Sequence, residues 1–319
     1  MPLEILHSAE EWRARFGASG TPAVTTIGNF DGLHTGHQAI LRRVCETAAA
    51  RNCVSSVLTF YPHPARVLRS ESAPPLLMTL PQRLAAIGAM GVNAALVLRF
   101  DEKLASVSAE DFVRVFLVET MCAKSVLVGE NFRFGHRQKG NVSLLAELGK
   151  KSGFEVGIVA PVILNGVPIS STGVRRAIFE GRMEDARLML GRPYALEGSI
   201  RTGTGQGRKL VVPTLNLATE QEALPKRGVY ATEAVVEGKT YHAVTNVGVR
   251  PTFDGAHTTI ESHLFDFSEN LTSGRLEVRF LTRLRDEQKF SGPDALREQI
   301  LKDIARAKDY FRSGEGVVV

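Results

Sequence analysis

Residues 25–38, with the sequence T-T-I-G-N-F-D-G-L-H-T-G-H-Q, constrain the fold more than any other part of this chain. The apolar run 23–27 predicts a buried strand that ends at Gly28, and an amphipathic helical pattern begins near Gly36. A strand, a glycine-containing turn and a helix N-terminus together form a phosphate site, because unpaired N–H groups and the helix dipole point to one place. The stretch therefore predicts an α/β unit with an anion site at this turn.

Two histidines, His34 and His37, flank the predicted site, and Gly36 between them allows the backbone to approach a ligand closely. Imidazole groups can donate hydrogen bonds to phosphate oxygens whose charge rises as pyrophosphate leaves. A lone H-x-x-H is more often an ordinary loop feature. The strand-to-helix junction around this pair favours the functional interpretation.

Length and charge limit the possible classes of protein. A chain of 319 residues is long for one hydrophobic core, so we expect two domains. The net charge of +5 is compatible with nucleic acid and equally with polyanionic nucleotides. The positive charge is not gathered into a tail or block, which favours the nucleotides.

The cysteines and the N-terminus predict a cytoplasmic protein. Cys45, Cys53 and Cys122 show no metal-ligand spacing, and a sparse, odd number of cysteines suggests reduced thiols. The first ten residues lack the features of an export signal. No apolar run approaches the ~20 residues of a membrane span. We therefore expect no membrane association.

Strands and helices alternate through the first 190 residues. Apolar strands are predicted at 54–60, 94–100, 125–129 and 154–161, separated by helices that Ser8, Thr79 and Ser108 are expected to cap. This alternation predicts a parallel, doubly wound sheet. His63, in F-Y-P-H-P, follows the second strand and is placed at its carboxyl end, where ligands of such sheets bind.

Two further segments of this half carry candidate ligand residues. The segment 129–140, G-E-N-F-R-F-G-H-R-Q-K-G, predicts a flexible basic loop. Its Phe132 and Phe134 either cover a flat ring, with Arg133 near phosphates, or belong to the core. The segment 169–176, I-S-S-T-G-V-R-R, predicts a helix N-terminus at which hydroxyls, N–H groups and a guanidinium form a second anion site.

The pattern changes near residues 191–194. Short strands are predicted at 196–201, 229–236, 241–247, 259–267 and 276–281, followed by one helix with an apolar face after Pro293. These elements predict an antiparallel barrel or sandwich with a C-terminal helix. The loop 203–209 matches neither a dinucleotide-binding nor a P-loop pattern, so a nucleotide lid and a hairpin connection both stay open. Thr214 and Asn216 lie on one side of an extended segment, and their oxygen atoms suit Mg²⁺ carrying ATP phosphates.

Several motifs in order resemble one family. G-N-F-D-G-L-H-T-G-H resembles the nucleotidyltransferase superfamily signature, and its F-D-G-x-H-x-G-H form is similar to the adenylyltransferase module of bacterial bifunctional riboflavin kinase/FAD synthetases. F-Y-P-H-P, the loop 129–140 and I-S-S-T-G-V-R-R resemble further motifs of that module. P-T-L-N, N-V-G-V-R-P-T-F and I-E-S-H-L-F-D-F resemble its riboflavin kinase module. The resemblance covers essentially the whole chain.

The resemblance implies two domains, 1–190 and 191–319: an α/β doubly wound nucleotidyltransferase domain and a riboflavin kinase β-barrel. It implies phosphorylation of riboflavin to FMN, adenylylation of FMN to FAD, ATP and Mg²⁺ as requirements, and neither nucleic acid nor membrane as partner; self-association is left open. The catalytic residues implied are His34, His37, Arg175 and Glu261. The nucleotide-binding residues are Gly28, Asn29, Phe30, Asp31, Gly32, Gly36, Asn131, Ser171, Thr172, Gly203, Gly207, Arg208 and Lys209. The flavin-binding residues are His63, Phe132, Arg133 and Phe134, and the metal ligands are Thr214 and Asn216.

Glu261 is the residue that the resemblance singles out as the general base of the kinase. Strand alternation alone does not decide which face of 258–267 is inward, so Ser262 and Asp266 also stay candidates. Val211, Pro168 and Leu271–Gly274 depart from the family pattern, which bears on efficiency. The alternatives are a nucleotidyltransferase with another substrate and a nucleic-acid-binding barrel, although no ladder of aromatic and basic residues supports the latter.

Overall fold

The structure is a computed structural model that describes residues 2–17, 20–201, 212–252, 255–269 and 271–313. It divides into two compact units, Met1–Ser171 and Thr172–Val319. Each unit has its own secondary structure and hydrophobic core.

The first unit contains a parallel sheet and two small hairpins. Its strands are β1 (Glu4–Leu6), β2 (Ala23–Ile27), β3 (Val54–Tyr61), β4 (Ala94–Arg99), β5 (Ala123–Gly129), β6 (Arg133–Phe134), β7 (Gly140–Asn141), β8 (Glu155–Val159), β9 (Ile163–Leu164) and β10 (Val167–Pro168). The sheet has the order β1–β4–β3–β2–β5–β8, and each neighbouring pair is parallel. The predicted doubly wound sheet is confirmed. The predicted strands do not include β1, whose three residues carry no periodic pattern.

The first unit contains the helices α1 (Ala9–Trp12), α2 (Thr35–Ala50), α3 (Pro64–Leu68), α4 (Leu80–Ala89), α5 (Glu102–Ala105), α6 (Ala109–Phe112) and α7 (Val142–Ser152). Three of them, α1, α4 and α6, begin at the predicted caps. Thr79 and Gln82 form a complete capping box at the start of α4. The Ser8 and Ser108 hydroxyls accept hydrogen bonds from the N–H groups of Glu11 and Asp111. Local side-chain chemistry thus sets where these helices start.

Alternate residues of β2 pack on opposite faces of the sheet. Val24 packs with Val44 of α2, whereas Ala23 and Ile27 belong to the core that contains Trp12. Successive side chains of a strand point to opposite faces, so helices cover both faces of this sheet. Burial at every position of β2, including Thr25 and Thr26, is therefore expected for a central parallel strand.

The second unit is a closed antiparallel barrel, with three helices among its described residues. Its elements are α8 (Ser171–Glu180), α9 (Met183–Leu190), β11 (Tyr194–Arg201), β12 (Leu215–Thr219), β13 (Gly228–Val236), β14 (Lys239–Thr252), β15 (Gly255–Leu264), β16 (Arg275–Arg285) and α10 (Pro293–Arg312). The barrel order is β11–β12–β15–β14–β13–β16, with β16 also paired to β11. Of the two predicted architectures, barrel and sandwich, the structure has the barrel.

The hairpin between β13 and β14 follows directly from its sequence. Val236 pairs with Lys239, which leaves Glu237 and Gly238 as a two-residue loop. Both residues have positive φ, 49° and 78°, as a type I′ turn requires. The two strands pair from Val236↔Lys239 back to Gly228↔Val247, so this turn fixes the register of the pair.

The C-terminal helix α10 packs on the outside of the barrel. Ile304 and Phe311 of α10 contact a buried cluster that includes Val229 and Val244 of the barrel wall. The predicted apolar face of this helix is confirmed. Arg285, at the end of β16, makes a bidentate ion pair with Asp303 of α10, with N···O distances of 2.7–3.0 Å.

Candidate active sites

The turn after β2 is held by hydrogen bonds within its own unit. The Asp31 carboxylate accepts from the backbone N–H groups of Leu77 and Met78, at 3.1–3.2 Å. The Ser171 hydroxyl donates to the Asp31 carbonyl at 2.9 Å. Asp31, predicted to bind nucleotide, therefore has its carboxylate engaged with the segment that precedes α4. Gly32 has φ +80°, and a Cβ at this position would lie 2.6 Å from Leu77 Cδ1, so glycine is required here.

His34 and His37 come together at the N-terminus of α2. His34 is the N-cap residue: its Nδ1 accepts from the His37 N–H at 3.3 Å. The two rings stack with centroids 3.7 Å apart and an interplanar angle of 18°. A Cβ at Gly36 would lie 3.1 Å from His34 Nδ1 and Cε1, so the glycine leaves room for the ring. In the neutral ring, an accepting Nδ1 leaves the proton on Nε2, which becomes the hydrogen-bond donor of His34.

Burial keeps both imidazoles neutral. It lowers the pKa of His34 to about 4. Burial, and secondarily the neighbouring His34, lower the pKa of His37 well below its usual range. His37 Nδ1 has no hydrogen-bond partner among the residues that the structure describes. The pair can therefore offer N–H groups to an anion without carrying a charge of its own at neutral pH.

A cavity of about 730 Å³ opens beside this turn in the first unit. Gly28 and Asn29 line it together with Phe132, Arg133 and Phe134. Another part of the cavity has an apolar wall, formed by Phe60, Phe100 and Leu104. A site with an apolar wall and a polar end suits a ligand that has a flat ring and a phosphate.

The segment 129–140 is a small hairpin rather than the irregular flexible loop that was predicted. β6 pairs with β7, and the His136 N–H donates to the Val107 carbonyl at 2.8 Å. Phe134 is buried in the core and stacks on Phe132 with centroids 5.4 Å apart. The two rings pack on the core and also line the cavity, and a role in covering a flat ligand ring stays a prediction.

Three other residues that the sequence predicted for this site lie outside the lining of the cavity. His63 caps α3, with its Nδ1 accepting from the Ala65 N–H at 3.2 Å. Phe30 is buried in a cluster with Leu33 and Leu41 and lies edge-on to the His37 ring. Asn131 lies in the turn between β5 and β6. None of the three is among the residues that line the cavity, so their contacts with ligands stay predictions.

The I-S-S-T-G-V-R-R segment spans the division between the two units. Ser171 closes the first unit and contacts the Asp31 turn, whereas Thr172 and Arg175 belong to the second. All three lie in the first half of α8, and Arg175 is buried. The roles of Thr172 and Arg175 in nucleotide binding stay predictions.

In the barrel, strand register brings Glu261 beside two amide side chains. Glu261 of β15 pairs with Asn216 of β12 and with Asn246 of β14. Directly paired residues share one face of a sheet. Ile260, Ser262 and Leu264 are buried, so the alternate residues Glu261 and His263 take the other face. This settles the orientation that the sequence left open.

That face of the barrel and α10 enclose a cavity of about 370 Å³. Thr214, Asn246 and Glu261 line it on the barrel side, and Leu296 and Ile300 line it on the helix side. Thr214 lines this cavity and Asn216 does not. The hydroxyl of Thr214 and the amide oxygen of Asn216 are hard oxygen donors of the kind that Mg²⁺ prefers, so the two side chains fit the ion chemically, and their role as its ligands stays a prediction.

Four residues near the sites are absent from the predicted set. Asn246, His263 and Glu287 line the barrel cavity, and Arg83 contacts the Asn29 backbone. Asn246 and His263 lie within the N-V-G-V-R-P-T-F and I-E-S-H-L-F-D-F motifs. The alternation of side chains along a strand does not assign them to the cavity unless the strand register is known. Arg83 had a signal: it is a charged residue between Leu80, Leu84 and Ile87 on the apolar side of α4. Gly203, Gly207, Arg208, Lys209 and Val211 lie outside the described residues.

Comparison with known proteins identifies the family. A FAD synthetase model matches residues 18–173 and a riboflavin kinase model matches residues 190–311. A bifunctional riboflavin kinase/FMN adenylyltransferase of Pseudomonas fluorescens is 38% identical over 288 residues, covering 89% of this chain and 92% of that protein. The protein of the same name from Escherichia coli strain K12 is 35% identical over 289 residues, covering 90% and 92%. The chain belongs to the bifunctional riboflavin kinase/FMN adenylyltransferase family.

A solved structure has the same fold over most of its length. The crystal structure of a macrolide-efflux protein from Streptococcus pneumoniae aligns with a TM-score of 0.83 and 30% identity, covering 90% of this chain and 94% of that one. Within the part of the chain that the structure describes, no helix is both long and apolar enough to cross a bilayer. The family matches assign the His34 turn to the FAD synthetase region and Glu261 to the riboflavin kinase region.

Proposed function

We propose that the two units catalyse successive steps of flavin cofactor synthesis through the residues described above. The barrel unit transfers the γ-phosphoryl group of ATP to riboflavin, which gives FMN. The α/β unit transfers the adenylyl group of a second ATP to FMN, which gives FAD and pyrophosphate. The observation that carries the proposal is the row of Asn216, Glu261 and Asn246 on three neighbouring strands, in a different unit from the His34–His37 pair.

In the kinase step, Glu261 accepts the proton of the riboflavin 5′-hydroxyl as its oxygen attacks the γ-phosphorus. The new O–P bond forms while the bond from the γ-phosphorus to the bridging oxygen breaks, and ADP leaves. A primary hydroxyl is a poor nucleophile at neutral pH, so a carboxylate within hydrogen-bond reach accelerates the reaction. The cavity between the barrel and α10 is the place where these groups would meet.

Thr214 and Asn216 hold Mg²⁺ in this proposal. When bound, the ion neutralises the phosphate oxygens of ATP and orients them. Across the described residues, no group of three or more His, Cys, Asp or Glu side chains could hold a metal ion. We therefore expect the remaining ligands to be ATP phosphates and water, as is usual for Mg²⁺ in phosphoryl-transfer enzymes.

In the adenylylation step, an oxygen of the FMN phosphate attacks the α-phosphorus of ATP. The bond from the α-phosphorus to pyrophosphate breaks, and negative charge moves onto the leaving group. His34 and His37 donate hydrogen bonds to these oxygens, and the N-terminus of α2 contributes its free N–H groups. The cavity lined by Phe60, Phe100 and Phe132 holds the isoalloxazine ring of FMN.

The test is incubation of the full chain with riboflavin, ATP and Mg²⁺, followed by chromatographic separation of FMN and FAD over time. His37→Ala should stop accumulation of FAD while FMN still forms, because removing one positioned donor costs ~10²–10³-fold in rate. His7→Ala changes an exposed histidine of the same unit and serves as the control. Equal loss of both products from folded His37→Ala protein would contradict the assignment.

We propose that the enzyme is cytoplasmic and that its partners are riboflavin, FMN and ATP, with neither nucleic acid nor membrane among them. The three cysteines form no disulfide, in keeping with that location. Tight binding that quenches flavin fluorescence would distinguish this function from that of a nucleic-acid-binding barrel or of a nucleotidyltransferase for another substrate.

A further inference from the structure

Arg83 of α4 is a buried cation that connects the ends of two strands. Its side chain is 5% exposed. Its Nη1 donates to the Asn29 carbonyl at 2.6 Å, and its Nη2 donates to the Phe60 carbonyl at 3.1 Å. Asn29 follows β2 and Phe60 lies near the end of β3, so one guanidinium spans the carboxyl ends of two neighbouring parallel strands.

The burial of this charge has little electrostatic compensation. Arg83 makes no ion pair within the described part of the chain, and its Nε has no hydrogen-bond partner there. Burial lowers the pKa of Arg83, although Asp31 raises it to a lesser extent. The Asp31 carboxylate itself is bonded to the N–H groups of Leu77 and Met78. Because an unpaired buried cation is costly, an apolar side chain on this face of α4 would suit stability better.

The two carbonyls belong to segments with different tasks in the proposed reaction. Asn29 begins the turn that carries Asp31, His34 and His37, on which ATP binds. Phe60 begins the F-Y-P-H-P segment that carries His63, which is assigned to the flavin. Asn29 and Phe60 both line the cavity, whereas Arg83 does not. Arg83 therefore contacts neither ligand and can act only through the two backbone segments.

The side chain of Asn29 gives a second indication. Its Oδ1 is buried and has no hydrogen-bond partner within the described residues, although Asn29 lines the cavity. A buried, unsatisfied amide oxygen at a cavity wall is expected to meet a donor on a ligand. The hydrogen bond from Arg83 to the carbonyl of the same residue holds this amide in place.

We propose that Arg83 is a positioning residue for adenylyl transfer, whose forked guanidinium fixes the distance between the ATP-binding turn and the flavin-binding segment. The inference rests on the proposed function of the α/β unit. In-line attack requires the FMN phosphate oxygen and the α-phosphorus to be held a few ångströms apart, and a misplacement of ~1 Å costs ~10²-fold in rate. The guanidinium reaches the two carbonyls from two nitrogens held in a rigid plane, whereas a lysine would have to donate to both from one nitrogen on a flexible stem.

The test compares Arg83→Lys and Arg83→Gln in the full chain, supplied with FMN, ATP and Mg²⁺. We expect both variants to lower the kcat of FAD formation by ~10–100-fold while the KM for ATP changes little, because the reacting groups are misaligned after binding. FMN formation from riboflavin in the same preparations should keep its wild-type rate. Arg42→Gln, which removes an exposed arginine of α2, is the matched control.

The fluorescence of Trp12, the single tryptophan of the chain, reports the folded fraction of the α/β unit. A wild-type kcat per folded molecule in both variants would mean that Arg83 is only structural and would overturn the proposal. Full activity in Arg83→Lys alone would show that a positive charge at this position is sufficient. That result would also contradict the proposed role of the forked guanidinium. If Arg83→Gln does not fold, Arg83→Lys retains the buried charge and decides the question. If the wild-type chain forms no FAD, the proposed function fails first, and this inference fails with it.

Discussion

Glu261 and His34 differ in burial at the residue scale. Glu261, the proposed general base, is partly exposed at the wall of a cavity. His34 is 6% exposed, and burial lowers its pKa to about 4, so it remains a neutral donor at pH 7. In the proposed reactions, the two sites lower the barrier to phosphate transfer by different means: proton acceptance in one and oriented N–H groups in the other.

Replacement of Glu261 by glutamine tests the general base. Glu261→Gln keeps the shape and hydrogen bonding of the side chain but cannot accept the proton, so FMN formation should fall ~10²–10⁴-fold. Binding of riboflavin should persist, measured by quenching of its fluorescence, and supplied FMN should still become FAD. Glu269→Gln, which makes the same change at an exposed glutamate beyond the end of β15, is the control. A wild-type rate of FMN formation in Glu261→Gln would assign the proton to another group, with Glu287 and Asp266 next in order.

The pKa of His34 predicts how the α/β unit responds to acid. The pKa is about 4 in the folded state and ~6.5 in the unfolded state, so between these values the unfolded chain binds more protons. Stability is then fully present above pH ~6.5 and falls as the pH drops toward 4. Between pH 7 and 5 this single histidine should cost roughly 2 kcal/mol in the free energy of unfolding.

Urea unfolding of the full chain followed by Trp12 fluorescence at the two pH values would measure this loss. His34→Asn retains a good helix N-cap and removes the titrating group, so its loss between pH 7 and 5 should be smaller than that of wild type. His7→Asn, an exposed histidine, should leave the loss unchanged. An equal loss in His34→Asn and wild type would show that His34 is not the group responsible.

At the scale of elements, signals in neighbouring residues predict most of the helices, strands and turns. Contacts between residues far apart in the chain could not be predicted from the sequence. The capping box of Thr79 and Gln82 and the Glu237–Gly238 turn are encoded in neighbouring residues, and the structure contains both. β12 pairs Asn216 with Glu261, 45 positions along the chain, and alternation gives no information about that register. The same limit left the orientation of Glu261 open. For the same reason the contacts of Arg83 could not be predicted, because its two partners are backbone carbonyls at the ends of β2 and β3.

The helix α10 illustrates how an element completes a site through one ion pair. Asp303→Ala leaves Arg285 without its bidentate partner in a nearly buried position, 14% exposed, which should destabilise the barrel unit by roughly 3 kcal/mol. Because Leu296 and Ile300 of α10 line the cavity, the KM for riboflavin should rise. Lys302→Ala, at the adjacent position, breaks only an exposed pair with Glu298 and should change stability by less than ~0.5 kcal/mol. Similar KM values in the two variants would show that the ion pair does not shape the cavity.

At the scale of the whole molecule, each unit has a core of its own. The clusters around Trp12 and Phe30 lie within the first unit, and that around Val229 and Phe311 lies within the second. Separate cores imply that the units can fold separately. The division after Ser171 groups α8 and α9 with the barrel, whereas the sequence placed the domain boundary at 190/191. The functional boundary between the two activities stays a prediction.

Two fragments, 172–319 and 192–319, test that boundary. Both should make FMN from riboflavin and neither should make FAD, because the His34 turn is absent from each.

The two fragments differ by α8 and α9. Met183, Ala186 and Leu190 of α9 are buried, so the longer fragment should be more stable by roughly 3–5 kcal/mol, as expected for burying two large apolar side chains and one small one. Urea unfolding followed by circular dichroism measures the difference. Equal stability of the two fragments would show that α9 contributes nothing to the barrel. Loss of FMN formation in both, with an active full-length chain, would show that the kinase requires the first unit.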